Sequence, residues 1–179
     1  MTDIDLVRLA GAYAAKAQPE ASLDAIADLY DCRFKPRLMT FFAWDNGDDM
    51  CRRVWSNNPE KYPTSAKKKM GPTQWGQTVL RDQTPWFGKN ETAMREAFPD
   101  HELIKSLGCS ACLSVPVVAM GKSIGAISVL HEEGKYSTSG FCVWGRMKED
   151  IRMQRQRHRH GYGQGGGWRS HYGGILPEV

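Results

Sequence analysis

Two strand–turn–strand units, set apart by a long crossover, constrain the fold more than any other feature of this chain. The first begins with Arg37–Trp44 (RLMTFFAW), a run rich in aromatic residues and too short for a globular helix. Asp45-Asn46-Gly47-Asp48 follows, and Asn-Gly is a strong hairpin signal because both residues tolerate positive φ. Asp49–Ser56 (DMCRRVWS) then returns, with Cys51, Arg53 and Trp55 alternating onto one face and Met50, Arg52 and Val54 onto the other. Arginines on both faces predict a partly exposed strand. The second unit is Cys112–Ala119 (CLSVPVVA), a Met120-Gly121-Lys122 turn and Ser123–His131 (SIGAISVLH). Pro116 has no amide to donate, so its strand needs an edge or a bulge there.

Helices fill the intervals. Residues 3–17 carry Ile4, Leu6, Val7, Leu9, Ala10 and Ala14 as an apolar stripe, capped by Thr2 or Asp3 and ended by Pro19. Ser22 opens a second, short helix with Leu23, Ile26 and Leu29 inward, and Cys32–Pro36 reads as a loop because Pro36 disfavours helix at Lys35. After Asn57-Asn58-Pro59, residues 57–72 read as a polar connection containing Lys67-Lys68-Lys69, a solvated loop face. Thr73 caps a helix through Leu80, and Gln83–Gly88 is a short extended piece. Asn90 or Thr92 opens a helix with Ala93, Met94 and Phe98, and Asp100 opens another that Gly108 closes. Two helices, a hairpin, a helical crossover and a second hairpin predict an α+β fold built on an antiparallel sheet.

The 179 residues, 41% of them hydrophobic, suffice for one packed core and hold no run long enough to cross a membrane. The N-terminus lacks a basic and then apolar leader, so a cytoplasmic protein is expected. Its net charge of +4 is unevenly placed. Residues 1–136 hold 17 Lys+Arg and 17 Asp+Glu, so the whole surplus sits in the C-terminal segment. Five cysteines, an odd count without a secretory leader, point to reduced thiols. Cys109 and Cys112 form a lone C-x-x-C with no second pair in the body, which argues against a structural zinc. No metal and no catalytic residue is assigned: the nucleophile elbow, the P-loop and H-E-x-x-H are all missing.

At the second hairpin the chain resembles GAF domains. Val115-Pro116-Val117, the Gly121 turn and Ile124-Gly125-Ala126-Ile127 are similar to that family's closing hairpin. Leu103–Gly108 resembles the helix that leads into it, and the Asn46-Gly47 hairpin fits the opening strands. The stretch from Trp55-Ser56-Asn57 to Trp75-Gly76 looks like a subgroup of small, stand-alone bacterial GAF proteins. The resemblance covers residues 1–137. It implies an antiparallel sheet of five or six strands, helices on one face, and a small-molecule pocket closed by loops on the other. It also implies a homodimer, which in the family is built on the first helix and a long C-terminal one. The family's cyclic-nucleotide signature (Asn-Lys-x-x-Phe-x-x-x-Asp-Glu) is absent, as is the chromophore-attaching Cys-His dipeptide. Cys109 and Cys112 loosely resemble the free methionine-R-sulfoxide reductases, although the surrounding spacing differs.

In such a pocket the crossover would supply Tyr62, Trp75, Trp86 and His101. Trp44 would come from the first strand, and Ser114 and Ser128 from the late strands as its floor. The plainer reading is core for the aromatic residues and a capping role for His101. No cofactor can be named.

The C-terminal segment departs from the family. After Tyr136-Ser137 no amphipathic helix begins, and residues 138–179 form a basic Gly/Arg/His-rich tail, expected to be largely disordered or rearranged. Three readings stay open: a nucleic-acid-binding arm, a solvated tail, or an out-of-frame reading of a GC-rich gene. The last fails if no other frame of the nucleotide sequence encodes an amphipathic helix after Ser137. Without that helix the stripe of residues 4–14 loses its partner, which predicts dimerisation through it, a tail folded over it, or marginal stability.

The expected function is a sensor or regulatory module for an unidentified small molecule, without a fused output domain. A thiol-based reductase using Cys109 and Cys112, and a nucleic-acid-associated protein acting through the tail, are the alternatives. The neutral body argues against nucleic acid.

Overall fold

Both hairpins form, and they meet through their inner strands. The computed structural model describes residues 3–65 and 67–136, within the first of two units into which the chain divides, Met1–Thr138. The expectations for the tail, residues 138–179, lie outside the described residues. The elements run α1 (Asp3–Ala14), α2 (Glu20–Phe34), β1 (Leu38–Asp45), β2 (Met50–Ser56), β3 (Lys67–Lys69), α3 (Gln74–Gly76), a π-helical turn (Gln77–Arg81), β4 (Trp86–Gly88), α4 (Glu91–Ala97), α5 (His101–Ser106), β5 (Ala111–Ala119) and β6 (Lys122–His131). The six strands make one sheet in the order β3-β2-β1-β6-β5-β4, every neighbouring pair antiparallel. This is the α+β architecture that the order of elements predicts.

The register sorts side chains onto two faces. Leu38, Thr40 and Phe42 of β1 stand opposite Leu130, Ser128 and Ala126 of β6, and Cys112, Ser114 and Pro116 of β5 continue those rows. Met39 and Phe41 pair with Val129 and Ile127 on the other face. There α2 packs: Tyr30 meets Phe41 edge-on at 6.5 Å, and Trp55 Nε1 donates to Asp24 Oδ1 at 2.7 Å. The crossover from β3 to α5 covers the first face.

Strict alternation along β2 breaks at one place. The β1–β2 pairing shifts between Phe41 and Phe42, so Trp55 opposes Phe41 while Arg53 opposes Phe42, with Val54 left over between them. Such an extra residue reverses the alternation beyond it. Arg53 and Trp55, expected on one face, therefore point to opposite faces. Trp55 stacks on Phe41 at 4.9 Å under α2, and Arg53 reaches Phe42 on the crossover side.

Other local expectations are corrected. The loop at Asn46-Gly47 has four residues, as expected, shifted by one to Asn46–Asp49. Neither Asn46 nor Gly47 has positive φ; Asp49 does, at 54°, and the Asp45 carboxylate accepts from the Gly47 amide at 2.9 Å. α2 begins just after Pro19 with Ser22 inside it, and it runs on through Cys32–Phe34. Phe34 packs on Tyr30 at 5.7 Å and on Tyr136 at 5.9 Å, contacts that hold the last turn helical until Lys35 ends it in the left-handed region. Lys67–Lys69 is an edge strand on β2 rather than a loop; charged side chains suit an exposed edge. Thr73 and Asn90 cap as expected, accepting from the Gly76 and Ala93 amides. Pro116 lies beyond the reach of β4, which pairs only with Cys112–Ser114.

Asp49 ties the crossover to the first hairpin. Its carboxylate accepts from Arg81 at 2.8 Å and from the Gly71 amide at 2.9 Å, and its carbonyl accepts from the Met70 amide at 2.9 Å.

Gly125 of β6 is opposite Ala43 of β1 and lies close to the β1 backbone. A Cβ added to Gly125 would overlap the Phe42 carbonyl oxygen, a backbone atom with no room to yield. Gly125→Ala is therefore expected to destabilise the domain by about 3 kcal/mol or more. Its urea midpoint should drop steeply; a midpoint equal to that of the unmodified chain would refute this close approach.

Candidate functional site

A cavity of about 40 Å³ lies between the crossover face of the sheet and the segments that cover it. That is room for about three waters. Leu38, Thr40 and Phe42 from β1, with Ser128 and Leu130 from β6, form its floor. Cys51 and Arg53 from β2 and Lys68 from β3 form one side. Met70, Trp75, Phe98 and Ile104 close it from above, and Tyr62 and Asp100 complete the wall. Phe98 also packs against Trp75 at 6.2 Å and against Trp86 at 5.6 Å, joining the two apolar clusters of this face.

Of the residues expected from sequence, Tyr62, Trp75 and Ser128 line the cavity. Ser114 stands one layer behind, where its hydroxyl accepts from Trp75 Nε1 at 3.0 Å and meets the Ser128 hydroxyl at 2.8 Å. Trp44 lies outside the lining, with its ring under the Arg81 guanidinium and its Nε1 3.4 Å from Asp49 Oδ1. Trp86 supports Phe98 from behind. His101 begins α5 with Nδ1 3.2 Å from the Phe98 carbonyl and Nε2 3.2 Å from Glu102 Oε1, also outside the lining.

Sequence reasoning missed the charged groups of the site. The Arg53 guanidinium carbon lies 5.3 Å from the Phe42 ring centre and 4.7 Å from that of Tyr62. Its Nη1 donates to the Pro63 carbonyl at 3.0 Å, while Nε is buried without a partner. Burial lowers the Arg53 pKa, the Tyr62 and Asp100 oxygens oppose that, and a guanidinium stays charged throughout. Asp100 caps no helix amide; it accepts the Tyr62 hydroxyl at 3.0 Å. Burial first, and the Asp100 carboxylate second, push the Tyr62 pKa well above its ordinary range. The Arg52-Arg53 pair inside a strand with Cys51, Val54 and Trp55 was the one available signal.

The cysteines present a different chemistry. Burial pushes Cys109 up to about 11 and Cys112 up to about 12, so both are neutral thiols near pH 7. Cys112 Sγ lies 3.4 Å from the Ser114 hydroxyl, and Cys109 Sγ lies 3.8 Å from the Leu107 carbonyl. Among the described residues no group of three or more His, Cys, Asp or Glu is placed to hold a metal ion.

No family model matches the chain, and no curated protein matches it. Solved structures do. The GAF domain of a two-component sensor histidine kinase from Bacillus halodurans is 11% identical, covering 82% of this chain and 99% of that one, with a TM-score of 0.58. The A. aeolicus nlh2 GAF domain is 13% identical over 83% of this chain and 88% of its own, also at 0.58. The GAF domain of a phosphoenolpyruvate-protein phosphotransferase from Coxiella burnetii is 13% identical over 88% and 95%, at 0.56. The likeness is one of fold: the described residues form a GAF-like domain.

The buried thiols fix a pH response. Cys51 and Cys109 are raised from 9.0 to about 11 and Cys112 to about 12, burial being the first cause in each. Between those limits the unfolded chain releases protons that the folded domain retains. Stability is therefore whole below about pH 9 and falls as pH rises toward the folded values. The urea midpoint should be lower at about pH 10.5 than at about pH 8, with a shallower fall in Cys112→Ala. A midpoint constant across that window would refute it.

Proposed function

We propose that residues 1–137 form a GAF-like module that binds a small molecule and has a sensory or regulatory role through that binding. The observation that carries this reading is the cavity under the crossover, mostly apolar yet holding one half-buried guanidinium whose Nε has no partner. Ligand sites join an apolar enclosure to a few polar groups that set orientation. Tyr62, Trp75 and Ser128 are the ligand-facing residues of the original set, with Ser114 supporting Ser128; Arg53 joins them. Trp44, Trp86 and His101 act as structural support. The relatives in fold come from sensor and phosphotransferase proteins, which favours a regulatory role. No helix among the described residues is long and apolar enough to cross a membrane.

The thiol-reductase alternative fits the site less well. Attack on a sulfoxide needs a thiolate, and burial keeps Cys109 and Cys112 protonated.

The outward side of α1 supports a homodimer. Ile4 is 72% exposed, Val7 71% and Tyr13 61%, apolar side chains that a second copy would cover. Sedimentation at micromolar concentration should show a dimer that Val7→Glu converts to monomer. A well-folded monomer of the unmodified chain would refute the contact.

The ligand reading is tested by melting the full chain against a library of small metabolites. A true ligand at about a hundred times its Kd adds about 2.7 kcal/mol, a rise of several degrees. The same compound should leave a Ser128→Phe variant, whose cavity is filled, unshifted. A library without any saturable shift would sink the reading.

A further inference from the structure

We propose that the cavity takes a small monocarboxylate, its acid group on the Arg53 guanidinium and its apolar body against Met70, Trp75 and Ile104. This rests on the reading of the cavity as a ligand site and names the class of ligand.

The argument starts from the arginine's geometry. A guanidinium is flat, with all its N–H donors in its plane. The Phe42 and Tyr62 rings both lie against Arg53, at 5.3 and 4.7 Å from its central carbon, so acceptors must come to its edges. One edge is engaged through Nη1 by the Pro63 carbonyl. Nε, on another edge, is buried and has no partner. Among the described residues only two other buried side-chain atoms share that condition, Ser123 Oγ and Tyr136 Oη, and neither residue lines the cavity. A charged donor left unpaired out of water costs more than a neutral one, and an anionic acceptor offsets the most.

The protein's own acid does not fill that role. Asp100 Oδ2 accepts the Tyr62 hydroxyl at 3.0 Å, and Asp100 affects Arg53 only through its field. Arg53 and Lys68 against Asp100 leave the cavity wall one positive charge in excess, which matches a monoanion. A single guanidinium edge offers two parallel donors, the pattern that fits the two oxygens of a carboxylate. Phosphate carries more charge and more oxygens than one edge can satisfy among apolar walls. The volume of about 40 Å³ limits the apolar body to a few carbon atoms.

The test uses the purified full chain, calorimetric titration and thermal melting. The probes are isobutyrate, its neutral analogue isobutyramide, and inorganic phosphate. Isobutyrate should bind saturably and raise the melting temperature, with the amide about tenfold weaker or worse. Arg53→Gln should weaken isobutyrate by a similar factor and leave the amide's affinity unchanged; Arg53→Lys serves if that variant does not fold. Equal binding of acid and amide would overturn the carboxylate assignment while leaving the ligand site standing. Phosphate binding as tightly as isobutyrate would also overturn it. Failure of isobutyrate to bind at up to about 10 mM would overturn it as well, and the metabolite library then decides the broader reading separately.

Discussion

The geometry of this domain's cavity depends on one extra residue. Val54 stands outside the pairing of β1 and β2, and the register on either side of it differs by one. In a sheet with period two, that slip decides which face a side chain occupies. It lets β2 serve both faces with large side chains. Trp55 goes to the helical face, where it stacks on Phe41 and bonds to Asp24, and Arg53 goes to the crossover face between Phe42 and Tyr62. Without the bulge both would crowd one face, and the cavity would lose the guanidinium held between Phe42 and Tyr62.

A second constraint holds the roof in place. Between β3 and β4 the crossover holds only α3 and the π-helical turn, yet it supplies Met70 and Trp75 above the cavity. Asp49 anchors it at Met70, Gly71 and Arg81, and the left-handed conformation of Asp49 itself directs the hairpin's return. Trp75 is fixed from the other side by its bond to Ser114, which touches Ser128 in turn. Roof and floor are thus joined by a chain of indole and hydroxyl groups on the crossover face of the sheet. The π-helical turn at Gln77–Arg81 lies between the Trp75 and Arg81 anchors, a place where a widened helix accommodates two fixed ends.

Local chemistry made much of the fold legible. Thr73 and Asn90 cap helices because their oxygens reach amides three residues on, and Gly108 and Gly121 adopt positive φ where a helix closes and a hairpin turns. These effects span a few residues and can be read from a few residues. What the sequence hid was register. The bulge at Val54 depends on how β1 and β2 slide together, so the side of Arg53 could not be read from alternation. Lys67–Lys69 reads as a loop because nothing in three lysines announces a strand; its partner β2 makes it one. The last turn of α2 depends on Tyr136, a hundred residues away in sequence. The candidate site followed the same division. Aromatic residues could be nominated by type, and only the folded sheet separated Tyr62 and Trp75 on the wall from Trp44 and Trp86 behind it.

The two rings that cover Arg53 have a further consequence, and it concerns entropy. A free arginine on a surface samples many rotamers, and an interaction that fixes it gives up that freedom, about 0.5–1.5 kcal/mol for a side chain of this kind. Here Phe42, Tyr62 and the Pro63 carbonyl have already immobilised the guanidinium as the chain folded. An acceptor arriving at its edge therefore meets a donor that is already oriented. The ordering cost falls on the folding of the domain, and the contact itself is left with most of its intrinsic strength.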